Sequence, residues 1–219
     1  MVARPETLFG GTTRVHVRPY ATGLEQTGAM RDSVAAVHGL VAGITPFDSL
    51  ESDHRADTLQ WLERTNDVFR RAKPATPARH LLSYVVVLDR SAFDVLLVDH
   101  VNAGLFLPPG GHVEPDEHPV AAARRECREE LGIDAHFADG RDQPAFVTVT
   151  TTVGIDSGHT DVSLWFVIAG SRGMRLTVDE VEFKGARWWP LEEVTRADAG
   201  SFDPHFGRFL QKIQGQSAL

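Results

Sequence analysis

Residues 110–133 read GGHVEPDEHPVAAARRECREELGI, a glycine pair followed by a short, heavily acidic helix. On a helical wheel Glu126 and Glu130 are four apart and share a flank, and Glu129 lies one position further round. Like charges this close repel unless something positive sits between them. A hard divalent cation answers that need, because Mg²⁺ takes oxygen ligands and keeps waters that a substrate can replace. Arg125, four residues before Glu129, can fix a carboxylate through its planar fork. The plainer reading is a solvated face held by i,i+4 ion pairs, and the fragment RECREE alone would favour it.

The elements that must position these acids are legible in outline. Pro119 suits a first helical position, where its missing N–H is not needed, and Gly132 ends the helix. Val120, Ala123, Cys127 and Leu131 form a stripe expected to pack on a sheet. Strands are expected at HLLSYVVVLD, VLLVDH, AFVTVTTTV and DVSLWFVIAG, with a short one at ARWWP and a closing helix at HFGRFLQKIQ. Ahead of them, helices are expected over about 24–43 and 50–72, capped for the second by Asp48 or Ser49, then a linker at KPATPAR. The division is thus an arm over 1–23 with at most one edge strand, a helical extension over 24–75 and an α/β domain over 76–219.

The glycine context decides between the two readings of the acids. The segment resembles the Nudix box, G-x5-E-x7-R-E-U-x-E-E-x-G-U, in which U is a bulky apolar residue. Gly111, Glu117, Arg125, Glu126, Cys127, Glu129, Glu130, Gly132 and Ile133 fill its positions in register. Only Cys127 departs from it, small where an aliphatic is usual. The seven invariant positions would coincide by chance on the order of 10⁻⁹ per start point at background frequencies. The resemblance implies a mixed sheet sandwiched by helices, here with an N-terminal helical extension outside it. It implies Mg²⁺ or Mn²⁺ held by Glu126, Glu129 and Glu130 with the backbone carbonyl of Gly111. It implies orienting roles for Arg125 and Glu117, and attack of water on a nucleoside diphosphate linked to another moiety. Glu129 is the expected general base, with Asp179, Glu180 and Glu182 as rivals whose plainer reading is an exposed acidic turn.

Residues beyond the box are weaker candidates. His112 and His118 read as loop or capping residues, because Mg²⁺ prefers oxygen. His159 and Asp161 stand at the mouth of a strand, where they form a turn or contact substrate. Of the adjacent Trp188 and Trp189 one belongs in the core, and the other can stack on a base or pack against the N-terminal helices. Nudix-like isopentenyl diphosphate isomerases need a catalytic cysteine, and Cys127, the sole cysteine, lies on the packing stripe. A non-catalytic nucleotide sensor is the alternative from another class, and such domains often carry a degraded box beside a basic DNA-binding domain, which this sequence lacks.

Bulk properties bound the partners. A formal charge of −8 over 219 residues disfavours long nucleic acid but permits a small nucleotide held through a cation. A lone cysteine excludes an intramolecular disulfide and suits a reducing compartment. With no membrane-length apolar run and no signal-peptide core, the expectation is a cytoplasmic protein. A homodimer through the N-terminal helices is expected, two-fold dimers being the commonest oligomers.

Overall fold

A computed structural model describes residues 23–72, 76–152 and 158–217. The arm expected over 1–23, apart from its last residue, lies outside the described residues. In chain order the elements are α1 (Gly23–Ala42), α2 (Ser49–Leu62), β1 (Arg79–Asp89), β2 (Asp94–His100), β3 (Phe106–Leu107), β4 (Gly110–His112), α3 (Pro119–Leu131), β5 (Phe146–Thr151), β6 (Thr160–Ala169), β7 (Phe183–Pro190), α4 (Leu191–Arg196) and α5 (Phe206–Ser217).

Strand β1 is the axis of a mixed sheet. It runs parallel to β6 along its length, with β5 antiparallel beyond β6. Its other edge is shared: β4 pairs antiparallel with Leu82–Tyr84 and β2 with Val87–Asp89. Strands β3 and β7 both pair with β2. The near-continuous apolar run of β1 follows from cover on both faces. Leu81, Val85 and Val87 point into one core with Ala123, Cys127 and Leu131 of α3, whereas Val86 and Leu88 point into another with Phe206, Phe209 and Leu210 of α5.

One N-terminal expectation is corrected. The second helix stops at Leu62, ten residues short of 72. The oxygens that follow bond locally instead: Thr65 Oγ1 accepts from Asp67 N at 3.1 Å and Asp67 Oδ1 from Phe69 N at 3.3 Å. Such bonds compete with helical ones. Val68 and Phe69 are still buried, but from a loop, whose Val68 carbonyl accepts from Leu81 N at 2.9 Å. The homodimer expected through these helices finds no support. The apolar residues that would carry it, Val37, Leu40 and Val41, pack into the chain's own core. Among the described residues, no helix is long and apolar enough to cross a membrane.

Candidate active site

Helix α3 is held at both ends and along one side. His118 Nδ1 caps it by accepting from Val120 N at 3.2 Å, and Gly132 closes it in the left-handed region at φ 67°. A Cβ on Gly132 would also lie 2.9 Å from Thr177 Cβ. The expected stripe of Val120, Ala123, Cys127 and Leu131 is buried against the sheet. Burial pushes the Cys127 thiol up to about 12, so it packs and does not attack.

The opposite flank carries the acids, organised around Arg125. Its guanidinium donates to both oxygens of Glu117 at 2.9 Å, to Glu126 at 2.7 Å, to Glu129 at 3.0 Å and to the His112 carbonyl at 3.0 Å. Glu130 accepts from Gly110 N at 2.7 Å. Strand β4 approaches so closely that a Cβ on Gly111 would lie 2.5 Å from Glu126 Oε1. A side chain there would displace the Glu126 carboxylate, so glycine lets the Gly111 backbone lie beside the carboxylates. Glu126 and Glu130 are buried, while Glu129 keeps its side chain 59% exposed.

Burial, then the neighbouring Glu129 and Glu117, push Glu126 up to about 7 against the pull of Arg125. Burial, then Glu126, Glu182 and Asp179, push Glu130 up to about 9. One guanidinium serves Glu117, Glu126 and Glu129, and Glu130 is held by the Gly110 N–H, so the cluster is short of positive charge. Its donors are oxygens, which suits Mg²⁺ or Mn²⁺ better than a softer ion. The acidic turn expected at 179–182 is largely exposed, yet it leans on the site, with Asp179 N donating to the Glu130 carbonyl at 3.2 Å.

A NUDIX domain model matches residues 79–210. The chain belongs to the Nudix family. Solved Nudix structures match it at low sequence identity. An Ap4A hydrolase binary complex from C. elegans shares 18% identity, covers 63% of this chain and 97% of its own, and has a TM-score of 0.50. The MutT protein of Methanosarcina mazei Go1 shares 20% identity, covering 63% and 94%, with a TM-score of 0.48. A NUDIX family hydrolase from Clostridium perfringens shares 23%, covering 57% and 89%, with a TM-score of 0.45. No curated protein sequence matches the chain significantly.

The weaker candidates outside the Nudix box separate. Trp189 is buried in the α5-side core, and Trp188 is half-buried, close enough that a Cβ on Gly170 would lie 2.9 Å from its ring. His159 and Asp161 sit at the start of β6, with His159 Nε2 and Asp161 Oδ1 3.5 Å apart. They are joined by His112 and by His80, which the sequence reading missed. His80 opens an apolar strand, where a histidine gives no periodic signal. Only the parallel pairing of β1 with β6 sets it opposite Asp161.

Proposed function

We propose that this Nudix protein is a metal-dependent pyrophosphohydrolase that cleaves a diphosphate linkage in a nucleoside diphosphate joined to another group. The observation that carries the reading is the pair of buried carboxylates, Glu126 and Glu130, under-neutralised by Arg125 and flanked by Glu129 and the Gly111 backbone. A Mg²⁺ or Mn²⁺ ion held by Glu126, Glu129, Glu130 and the Gly111 carbonyl would screen the diphosphate and acidify a water.

The remaining roles fall to the chain. Glu129 is the solvent-facing carboxylate of the cluster, and its link to Arg125 limits its rotamers, so it can accept the proton of an attacking water. Arg125 and Glu117 are positioning residues: their two-point ion pair holds the orientation on which in-line displacement depends. His159, Asp161 and Trp188 stay as candidates for substrate contact. The buried lone cysteine suits a reducing compartment, and the cytoplasm is the place we assign.

The test is a panel of nucleoside triphosphates, oxidised nucleotides, nucleotide sugars and dinucleotides with Mg²⁺, products identified by mass spectrometry. Hydrolysis of one class between two phosphorus atoms is expected. Tight nucleotide binding without turnover, in folded protein, would make the domain a sensor instead.

A further inference from the structure

We infer that His80, His112 and Asp161, with His159 beside them, form a second cation site that takes a transition-metal ion of the zinc class. It is separate from the carboxylate cluster and does not depend on the hydrolase reading. Three strands build it. The parallel register sets His80 opposite Asp161, and β4 sets His112 opposite Leu82, two residues along from His80. With side chains alternating, all three point to one face, and His159 lies two residues before Asp161.

Two of the three separations suit ligands of one ion. His80 Nε2 lies 3.1 Å from His112 Nε2 and 3.1 Å from Asp161 Oδ1, and donor atoms of the three residues fall within 4.8 Å of one another. Nitrogen ligands on one tetrahedral zinc stand about 3.3 Å apart, given bonds of about 2.05 Å.

Protonation argues the same way. His80 Nδ1 faces the Pro77 carbonyl at 2.9 Å, so in the neutral ring Nδ1 carries the hydrogen and Nε2 a lone pair. Thr152 Oγ1 lies 3.0 Å from His159 Nδ1, and Nε2 of that ring faces Asp161 Oδ1 at 3.5 Å. Two imidazole nitrogens thus face one carboxylate oxygen. Asp161 Oδ1 is buried with no hydrogen-bond partner among the described residues. Its partner is therefore either a proton on one of the rings that face it or a cation held among them. Imidazole fixed through its far nitrogen by a carbonyl or hydroxyl is the usual outer arrangement of a metal-bound histidine. Nitrogen donors favour zinc, iron, nickel or copper over magnesium.

The placement gives the site a consequence. His112 follows Gly111, and its carbonyl is held by Arg125. An ion on the His112 ring would tie β4 to β1 and β6 and hold the Gly111 backbone beside Glu126.

The test uses untagged full-length protein, stripped with a chelator and titrated with Zn²⁺ by calorimetry with millimolar Mg²⁺ present. One equivalent is expected to bind. Asp161→Asn and His112→Gln should each weaken binding at least about tenfold, while Glu126→Gln and Glu130→Gln leave it unchanged. Co²⁺ on the unaltered protein should give the intense visible bands of a low-symmetry, nitrogen-rich site, which covers the case of a variant that misfolds. Absence of Zn²⁺ binding, featureless Co²⁺ spectra, or binding that Mg²⁺ displaces and Glu126→Gln abolishes would each overturn the inference.

Discussion

Two parts of this molecule treat their carboxylates in opposite ways. Between α2 and α5, Glu51 and Asp48 each have their own cation. Lys212 Nζ donates to Glu51 Oε1 at 2.7 Å, both side chains almost fully enclosed, and Arg208 Nε donates to Asp48 Oδ2 at 2.8 Å. Arg208 beside it holds the Asp48 carboxyl down to about 2. At α3 three acids, Glu117, Glu126 and Glu129, share Arg125, Glu130 has no ion pair with it, and burial drives Glu126 and Glu130 up. A matched seam is complete within the chain and joins elements. An unmatched cluster is completed only by something that binds.

The largest expected effect breaks the unmatched cluster. Glu126→Gln or Glu130→Gln should lower kcat/KM on the order of 10³-fold, because each removes a charge that orders the reacting phosphate. The thermal midpoint in chelator should hold or rise, since a repelling buried charge is gone. A midpoint that falls steeply would mean that the cluster is a second structural seam.

The matched seam should respond the other way. Lys212→Met leaves Glu51 buried alone and should cost about 3–5 kcal/mol in urea unfolding, with the rate per folded molecule unchanged. Replacing both partners, Glu51→Leu with Lys212→Met, should recover most of that loss. A single variant as stable as the parent would remove the claim that this pair joins α2 to α5.

The contrast also explains what could be read before folding. The Nudix box is local: Arg125, Glu126, Glu129, Glu130 and Gly132 lie on one helix and its cap, with Glu117 just ahead of it, so spacing places them. The stripe of Val120, Ala123, Cys127 and Leu131 is equally local. The seam is not legible, because Glu51 and Lys212 are separated by 161 positions and each looks like an ordinary surface charge. The His80, His112 and Asp161 group fails for the same reason, since it exists only through the register of β1 with β4 and β6. The end of α2 was misread because Val68 and Phe69 keep helical spacing while their burial is delivered by a loop.

A smaller effect sharpens the seam through pH. Burial, with His54 and Arg208 beside it, holds His205 down to about 4, and its ring accepts from Arg208 Nη1 across 3.0 Å. An unfolded histidine takes its proton near about 6.5. Between these values the unfolded chain binds more protons, so this group's contribution to stability falls as pH drops from about 6.5 to about 4. Asp203, raised by burial to about 6, has the opposite sign: it adds stability at low pH that is lost as pH rises through about 6. Subtracting His205→Asn from the parent isolates the histidine, and that difference should decline on acidification. A flat difference would place His205 outside the seam's electrostatics.

The smallest effect concerns Cys127, one residue from Glu126 but on the packing side of the same helix. If α3 divides into a face that packs and a face that reacts, a change on the first should not reach the second. Valine adds roughly one methylene to cysteine and restores the bulkier apolar type usual at this position. Cys127→Val should therefore change stability by no more than about 2 kcal/mol, with kcat and KM within twofold of the parent. The parent thiol, pushed up to about 12 by burial, should ignore a disulfide reagent until the protein unfolds. A folded Cys127→Val protein that hydrolyses substrate a hundredfold more slowly would show that the carboxylates depend on sub-ångström packing behind them. The two faces of α3 would then be one device, and the contrast between the unmatched cluster and the matched seam would have to be drawn at the sheet instead of along the helix.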